Sequence, residues 1–173
     1  MRSPTWISVA PGVVLAFLLS AAPVQAQGGK GAIEGHLTIG PAWFLDEDFP
    51  AHLTVGGSLR AFLTDRLSVE PEFLYLRESA SDQDYLLTAS VAYDLARSGR
   101  RAIPYVMGGA GIFHHQGERF SDTSLTAIGG MGVKISLSNR IVFAPRFRVG
   151  FEPNVYWMLT GSVGFVLSSP AGR

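Results

Sequence analysis

No cysteine occurs anywhere in the sequence, which excludes a disulfide framework and a thiol nucleophile alike. Charge is scarce and balanced: Asp, Glu, Lys and Arg make up 16% of the residues, 14 of each sign. A nucleic-acid partner would favour a basic patch or stripe, so that class is set aside. There is no H-E-x-x-H pair for a zincin site, and no glycine run has the G-x-G-x-x-G form opening a helix that would cradle a phosphate. Beyond the first 26 residues, no apolar run approaches the ~20 residues that a membrane-spanning helix needs.

The amino-terminal segment has one positive charge at Arg2, an apolar stretch from Val9 to Leu19, and Ala22-Pro23-Val24-Gln25-Ala26 with small residues at a cleavage position. That order predicts a secretory signal peptide over 1–26, removed after Ala26. Pro11-Gly12 interrupts the run, which disfavours a membrane anchor. The remaining 27–173 is the size of one domain, with 13 basic residues against 14 acidic ones once Arg2 is gone. An exported chain without disulfides must be held by a good soluble core or by the membrane itself. In lipid it must be a closed barrel, because no water is there to satisfy unpaired backbone groups.

Residues 27–173 divide into eight runs of alternating character, separated by clusters of Gly, Pro, Asp, Asn, Ser and charge. Strands are expected over 32–44, 52–64, 67–77, 85–96, 102–114, 125–137, 140–151 and 155–167. The connections alternate between short turns at 65–66, 97–101 and 138–139 and longer polar ones at 45–51, 78–84 and 115–124; the last, 152–154, is short. Tight periplasmic turns and longer outer loops are the pattern of bacterial outer-membrane barrels.

Alternation places Leu53, Val55, Leu59, Ala61 and Leu63 on one face of the second strand and Thr54, Ser58, Arg60 and Thr64 on the other. The third strand splits Leu67, Val69, Phe73 and Tyr75 from Ser68, Glu70 and Glu72, and the seventh splits Ile141, Phe143, Phe147 and Val149 from Arg146 and Arg148. Four aromatic pairs recur eight residues apart: Tyr85 and Tyr93, Tyr105 and Phe113, Phe143 and Phe151, Trp157 and Phe165. Eight steps on a strand tilted by about 40° rise roughly 20 Å, close to the ~25 Å apolar band that aromatic girdles flank. With Trp43 and Tyr75, one girdle is expected near the long loops, holding Tyr85, Phe113, Phe151 and Trp157. Tyr93, Tyr105, Phe143 and Phe165 would form the other.

With the apolar face toward lipid, the lumen receives a charge network of Glu34, Arg60, Glu70, Glu72, Lys134, Arg146 and Arg148, together with His36. The third and seventh strands lie opposite one another in an eight-stranded barrel, so Glu70 and Glu72 are expected to meet Arg146 and Arg148. An eight-stranded interior is just wide enough to be filled by side chains, and a polar plug is expected. Glycine pairs within strands, Gly56-Gly57, Gly108-Gly109 and Gly129-Gly130, fit a small, strongly curved barrel.

The chain resembles the OmpA/OmpX-type small outer-membrane barrels, and more loosely the outer membrane protein beta-barrel domain family, over 31–167. The resemblance rests on Leu67-Ser68-Val69-Glu70-Pro71-Glu72, on the strand at 87–93, and on Pro104-Tyr105-Val106-Met107-Gly108-Gly109-Ala110-Gly111. It implies a structural, adhesive or defensive surface protein and no catalysis. It also implies outer-membrane lipid, the barrel insertion machinery and a surface ligand at the outer loops as partners, with the chain as a monomer and no cofactor. Such barrels commonly end on an aromatic residue that the insertion machinery reads, whereas here Phe165 precedes eight further residues ending in Pro170-Ala171-Gly172-Arg173.

The fold class expected is therefore all-β: an eight-stranded antiparallel up-and-down transmembrane β-barrel preceded by a cleaved signal peptide. Two other readings use the same alternation. One is a lipid-active outer-membrane enzyme or narrow channel; a lipid A deacylase-like barrel would need a His-x-Ser pair, and His36-x-Thr38 and His52-x-Thr54 are the nearest. A palmitoyltransferase-like barrel would need an amphipathic helix that Gln27-Gly28-Gly29-Lys30 cannot supply. His114 and His115 are adjacent on a strand and point to opposite faces, which disfavours a shared metal site. The other reading is a soluble periplasmic lipocalin-like carrier with its apolar face turned inward.

Overall fold

The computed structural model describes residues 29–45, 52–77, 83–97, 99–117, 121–152 and 154–168. The expected signal peptide and the centres of the longer connections lie outside them. Eight strands follow in chain order: β1 (Ile33–Phe44), β2 (His52–Phe62), β3 (Leu67–Arg77), β4 (Gln83–Asp94), β5 (Ala102–Gln116), β6 (Ser121–Ser136), β7 (Ile141–Phe151) and β8 (Val155–Ser168). Each pairs antiparallel with the next, and β1 pairs with β8, so the sheet closes into a barrel without an open edge.

Local chemistry fixes the short connections. In the β2–β3 turn the Thr64 hydroxyl accepts from the amides of Arg66 (3.2 Å) and Leu67 (2.9 Å). Ser138 does the same for Arg140 and Ile141 between β6 and β7. Such hydroxyl-capped turns satisfy backbone donors that the ladder leaves over. Gly99 reverses the chain between β4 and β5 at φ +93°, a conformation that a side chain disfavours.

The β5–β6 hairpin is longer than the sequence suggests. Its strands remain paired out to Gln116 and Ser121, so the expected long connection at 115–124 contracts to four residues. Thr123 and Ser124, read as loop residues, are in the ladder opposite His114 and Phe113.

The barrel is inverted relative to a water-soluble protein. Arg60, Arg146, Arg148, Glu34 and Glu70 are almost wholly buried, whereas Leu37, Leu59, Leu87, Met131 and Leu159 are more than half exposed on the outer surface. Charged residues are almost never fully buried unless paired, and an apolar outer surface on a closed barrel is the arrangement that lipid requires. This is the reverse of the lipocalin-like carrier, which would turn these apolar faces inward.

Two aromatic placements differ from the sequence expectation. Tyr105 and Phe113 point into the barrel, 1% and 2% exposed, while Val106 and Ile112 face outward. Both faces of β5 are apolar, so alternation alone could not choose between them. Fit supports the inward choice: a Cβ on Gly132 of β6 would lie 2.7 Å from the Cζ and Oη atoms of Tyr105 and 2.7 Å from the Pro145 carbonyl oxygen, so the glycine leaves room for both the inward ring and the neighbouring strand. The remaining expected girdle residues, Trp43, Tyr75, Tyr85, Tyr93, Phe143, Phe151, Trp157 and Phe165, lie at the outward positions of their strands. Trp43 and Trp157 are register partners with stacked rings 4.1 Å apart, and Tyr75 and Tyr85 are partners at 5.5 Å.

Candidate functional site

The interior is built by every second residue of each strand. On β3, moving away from the short-turn end, Ser68, Glu70, Glu72, Leu74 and Leu76 point inward in succession. On β7 the sequence is Val142, Ala144, Arg146 and Arg148. Strands β3 and β7 are separated by three strands on either side, so their inward side chains meet across the lumen.

A central cluster of five charges results. Glu70 accepts from Ser58 Oγ (2.6 Å), from Arg60 Nε (2.9 Å) and Nη2 (2.5 Å), and from Arg146 Nη1 (3.0 Å). Glu72 accepts from Arg146 Nη1 (3.3 Å) and from Arg148 Nη1. Arg146 also donates from Nη2 to Ser162 Oγ (3.0 Å), which in turn donates to the Ala144 carbonyl. The Arg60 guanidinium additionally lies 4.8 Å from the centre of the Tyr105 ring. Burying isolated charges is costly, and two carboxylates interleaved with three guanidiniums offset part of that cost by direct pairing, while Arg148 Nε and Nη2 are buried without a hydrogen-bond partner among the described residues.

The other expected network members flank this cluster, and Glu34 is the register partner of Arg60. Glu34 pairs with His36 of its own strand at 3.1 Å. Lys134 binds Asp94 of β4, a partner that the sequence reading did not name, and its ammonium lies 4.7 Å from the Phe62 ring centre. Asp94 is the last residue of an otherwise weakly polar inward row, Thr88, Ser90 and Ala92. Only the closure of β4 against β5 and β6 reveals its meeting with Lys134.

Toward the long-connection end lies a feature that the sequence reading missed. Leu74, Leu76, Leu86 and Met158 are fully buried inside the barrel with Ala42, Phe113 and Tyr156, and Phe44 packs against them. The Phe44, Phe113 and Tyr156 rings lie 5.6 to 5.8 Å apart. The Tyr156 hydroxyl, 3.0 Å from Thr126 Oγ1, satisfies its polar tip. On β3 the polar inward row gives way to leucine, so that both faces are apolar from Phe73 to Leu76, which is the one signal that could have indicated an apolar filling.

Above this layer a polar rim closes the interior. His115 Nδ1 lies 2.5 Å from Asp84 Oδ1, and His52 Nε2 lies 3.9 Å from Asp84 Oδ2. His114 instead contacts Thr123 Oγ1 at 2.8 Å, so the two adjacent histidines engage different neighbours. Ser124 donates to Glu152 in the β7–β8 connection. Burial pushes the Glu152 carboxyl above the usual carboxylate range, against the Ser124 hydrogen bond and with Asp84 and Asp122 adding to the rise.

Chemically, this interior is a packed plug: five interlocked charges in the middle and an apolar layer above them. Among the described residues no group of three or more His, Asp or Glu side chains is disposed to hold a metal ion.

No protein-family model matches the sequence, and no curated protein matches it. Solved structures do. The amino-terminal β-barrel domain of OprF from Pseudomonas aeruginosa superposes with a TM-score of 0.64 at 18% identity, covering 80% of this chain and 99% of that one. Neisserial surface protein A gives 0.63 at 13% identity, covering 78% and 95%. Ail, the attachment invasion locus protein of Yersinia pestis, gives 0.51 at 15% identity, covering 80% and 100%. The chain therefore has the fold of the OmpA/OmpX-type small outer-membrane barrels, crossing the membrane with eight strands.

Proposed function

We propose that this chain is a filled outer-membrane barrel with a structural or surface-interaction role and no catalytic activity. The signal peptide at 1–26 would export it, and the barrel insertion machinery would assemble it as a monomer. Its connections at 45–51, 78–82 and 117–120 would carry whatever recognition it performs, since binding usually resides in loops held by a rigid scaffold. The observation that carries this reading is the packed interior beneath an apolar outer surface: the lumen holds side chains where a channel would hold water. The names of neisserial surface protein A and of the attachment invasion locus protein Ail, both pointing to surface roles, are in keeping with it.

Heat-modifiable gel mobility on membranes, with carbonate extraction, tests the barrel; single-channel recording in planar bilayers tests the plug. A shifted unboiled band that stays in the membrane pellet, with no steady conductance, is the expected result. A conductance that disappears in Glu70→Ala or Arg146→Ala would replace this reading with the narrow channel. Release of a fatty acid or lipid fragment from outer-membrane lipid by the purified barrel would replace it with an enzyme.

A further inference from the structure

The short-turn end of the barrel is basic among the described residues. Outside the strands at the short-turn end, the described residues hold Lys30, Arg66, Arg97, Arg100, Arg101 and Arg140 against the single carboxylate Asp65. The connections at the other end hold seven acidic residues and one basic residue in sequence. A chain with no net charge thus presents a basic collar at the end where short turns normally face the periplasm.

Part of this collar is a shaped site. The Asp94 amide donates to the Arg66 carbonyl (2.8 Å), which ties the β2–β3 turn beside the β4–β5 turn. Two adjoining clefts lie there and share Arg66 and Arg97; one also reaches Arg100, and the other, of about 650 Å³, reaches Asp65 and Tyr93. Arg66 Nη1 donates to the Tyr93 hydroxyl (3.4 Å), placing the guanidinium at the rim of the outward apolar surface. Leu63, Tyr93 and Leu95, between 43% and 55% exposed, adjoin the arginines on the outer wall.

We propose that this cleft binds the headgroup of an anionic phospholipid of the periplasmic leaflet, a site that rests on the membrane orientation given above. Three guanidiniums against one carboxylate leave an excess of positive charge, and guanidinium forks match phosphate oxygens geometrically. The exposed Leu63, Tyr93 and Leu95 supply the apolar wall that acyl chains need, which free phosphate or a soluble polyanion would leave unused.

The test is native mass spectrometry of the purified barrel in neutral-detergent micelles, titrated with phosphatidylglycerol, with phosphatidylcholine of the same chains, and with inorganic phosphate. Phosphatidylglycerol is expected to be retained at concentrations at which neither of the others is. Arg97→Gln and Arg100→Gln, on an exposed turn, should each weaken retention about fivefold, the effect of one basic side chain near a charged lipid surface. Arg140→Gln, on the same collar but in the β6–β7 turn, should leave it unchanged. Equal retention of the two lipids, equal loss in Arg140→Gln, or retention of inorganic phosphate at the same concentration would each overturn the site. A wild-type chain without heat-modifiable mobility would instead overturn the barrel reading itself.

Discussion

Arg146 on β7 donates from a single nitrogen, Nη1, to both Glu70 and Glu72 on β3, at 3.0 and 3.3 Å. The two strands are as far apart around the barrel as eight strands permit, so this one guanidinium fastens opposite walls. Glu70→Ala strands Arg60 and Arg146 without their shared acceptor. Breaking a buried pair from one side costs about 3–5 kcal/mol, so the unboiled, compact band should be lost at a markedly lower temperature. An unchanged melting profile would show that the cluster does not hold the walls together.

Gly132→Ala tests the inward placement of Tyr105. The added methyl would meet the ring end and the Pro145 carbonyl oxygen, each at 2.7 Å, and overpacking of this kind costs about 1–3 kcal/mol. Combining it with Tyr105→Leu should recover part of the loss in a double-mutant cycle. If the two changes merely add, the clash is with the Pro145 carbonyl alone and the ring does not share it.

Lipid exposure makes its own demand. Leu159 is 52% exposed between the Trp157 and Phe165 girdle positions of β8, and Leu167 is 63% exposed beyond Phe165 at its short-turn end. Arginine on the lipid face costs about 2–4 kcal/mol at the midplane and about 0–1 near the interface. Refolding into vesicles should therefore be impaired by Leu159→Arg and spared by Leu167→Arg; equal tolerance of both would contradict the bilayer placement.

The Glu152 carboxyl gives the barrel a pH dependence outside the membrane band. Its raised pKa means that the folded state holds the proton more tightly than the unfolded chain. The stability it contributes is present below the ordinary glutamate range and declines as pH rises through the raised folded value. Chemical denaturation in detergent across mildly acidic pH should show that decline in the wild type and a flatter profile in Glu152→Gln. Identical profiles would remove Glu152 as its source.

Sequence alone determined the strand count, the antiparallel order and the inward position of Glu34, Arg60, Glu70, Glu72, Lys134, Arg146 and Arg148. A period of two separates the faces of a strand whenever one face is polar and the other is not, and β2, β3 and β7 satisfy that condition through most of their length. The pattern fails where both faces are apolar. On β5 it put Tyr105 and Phe113 toward lipid, and on β3 it left Leu74 and Leu76 without a role. Only the closed barrel decided these positions. There, space beside Gly132 admits the Tyr105 ring, and the convergence of β3, β4, β5 and β8 surrounds Leu74, Leu86, Phe113 and Met158 with apolar neighbours. The same holds for Lys134 and Asp94, 40 residues apart in sequence: pairing across strands depends on register and curvature, which no single strand encodes.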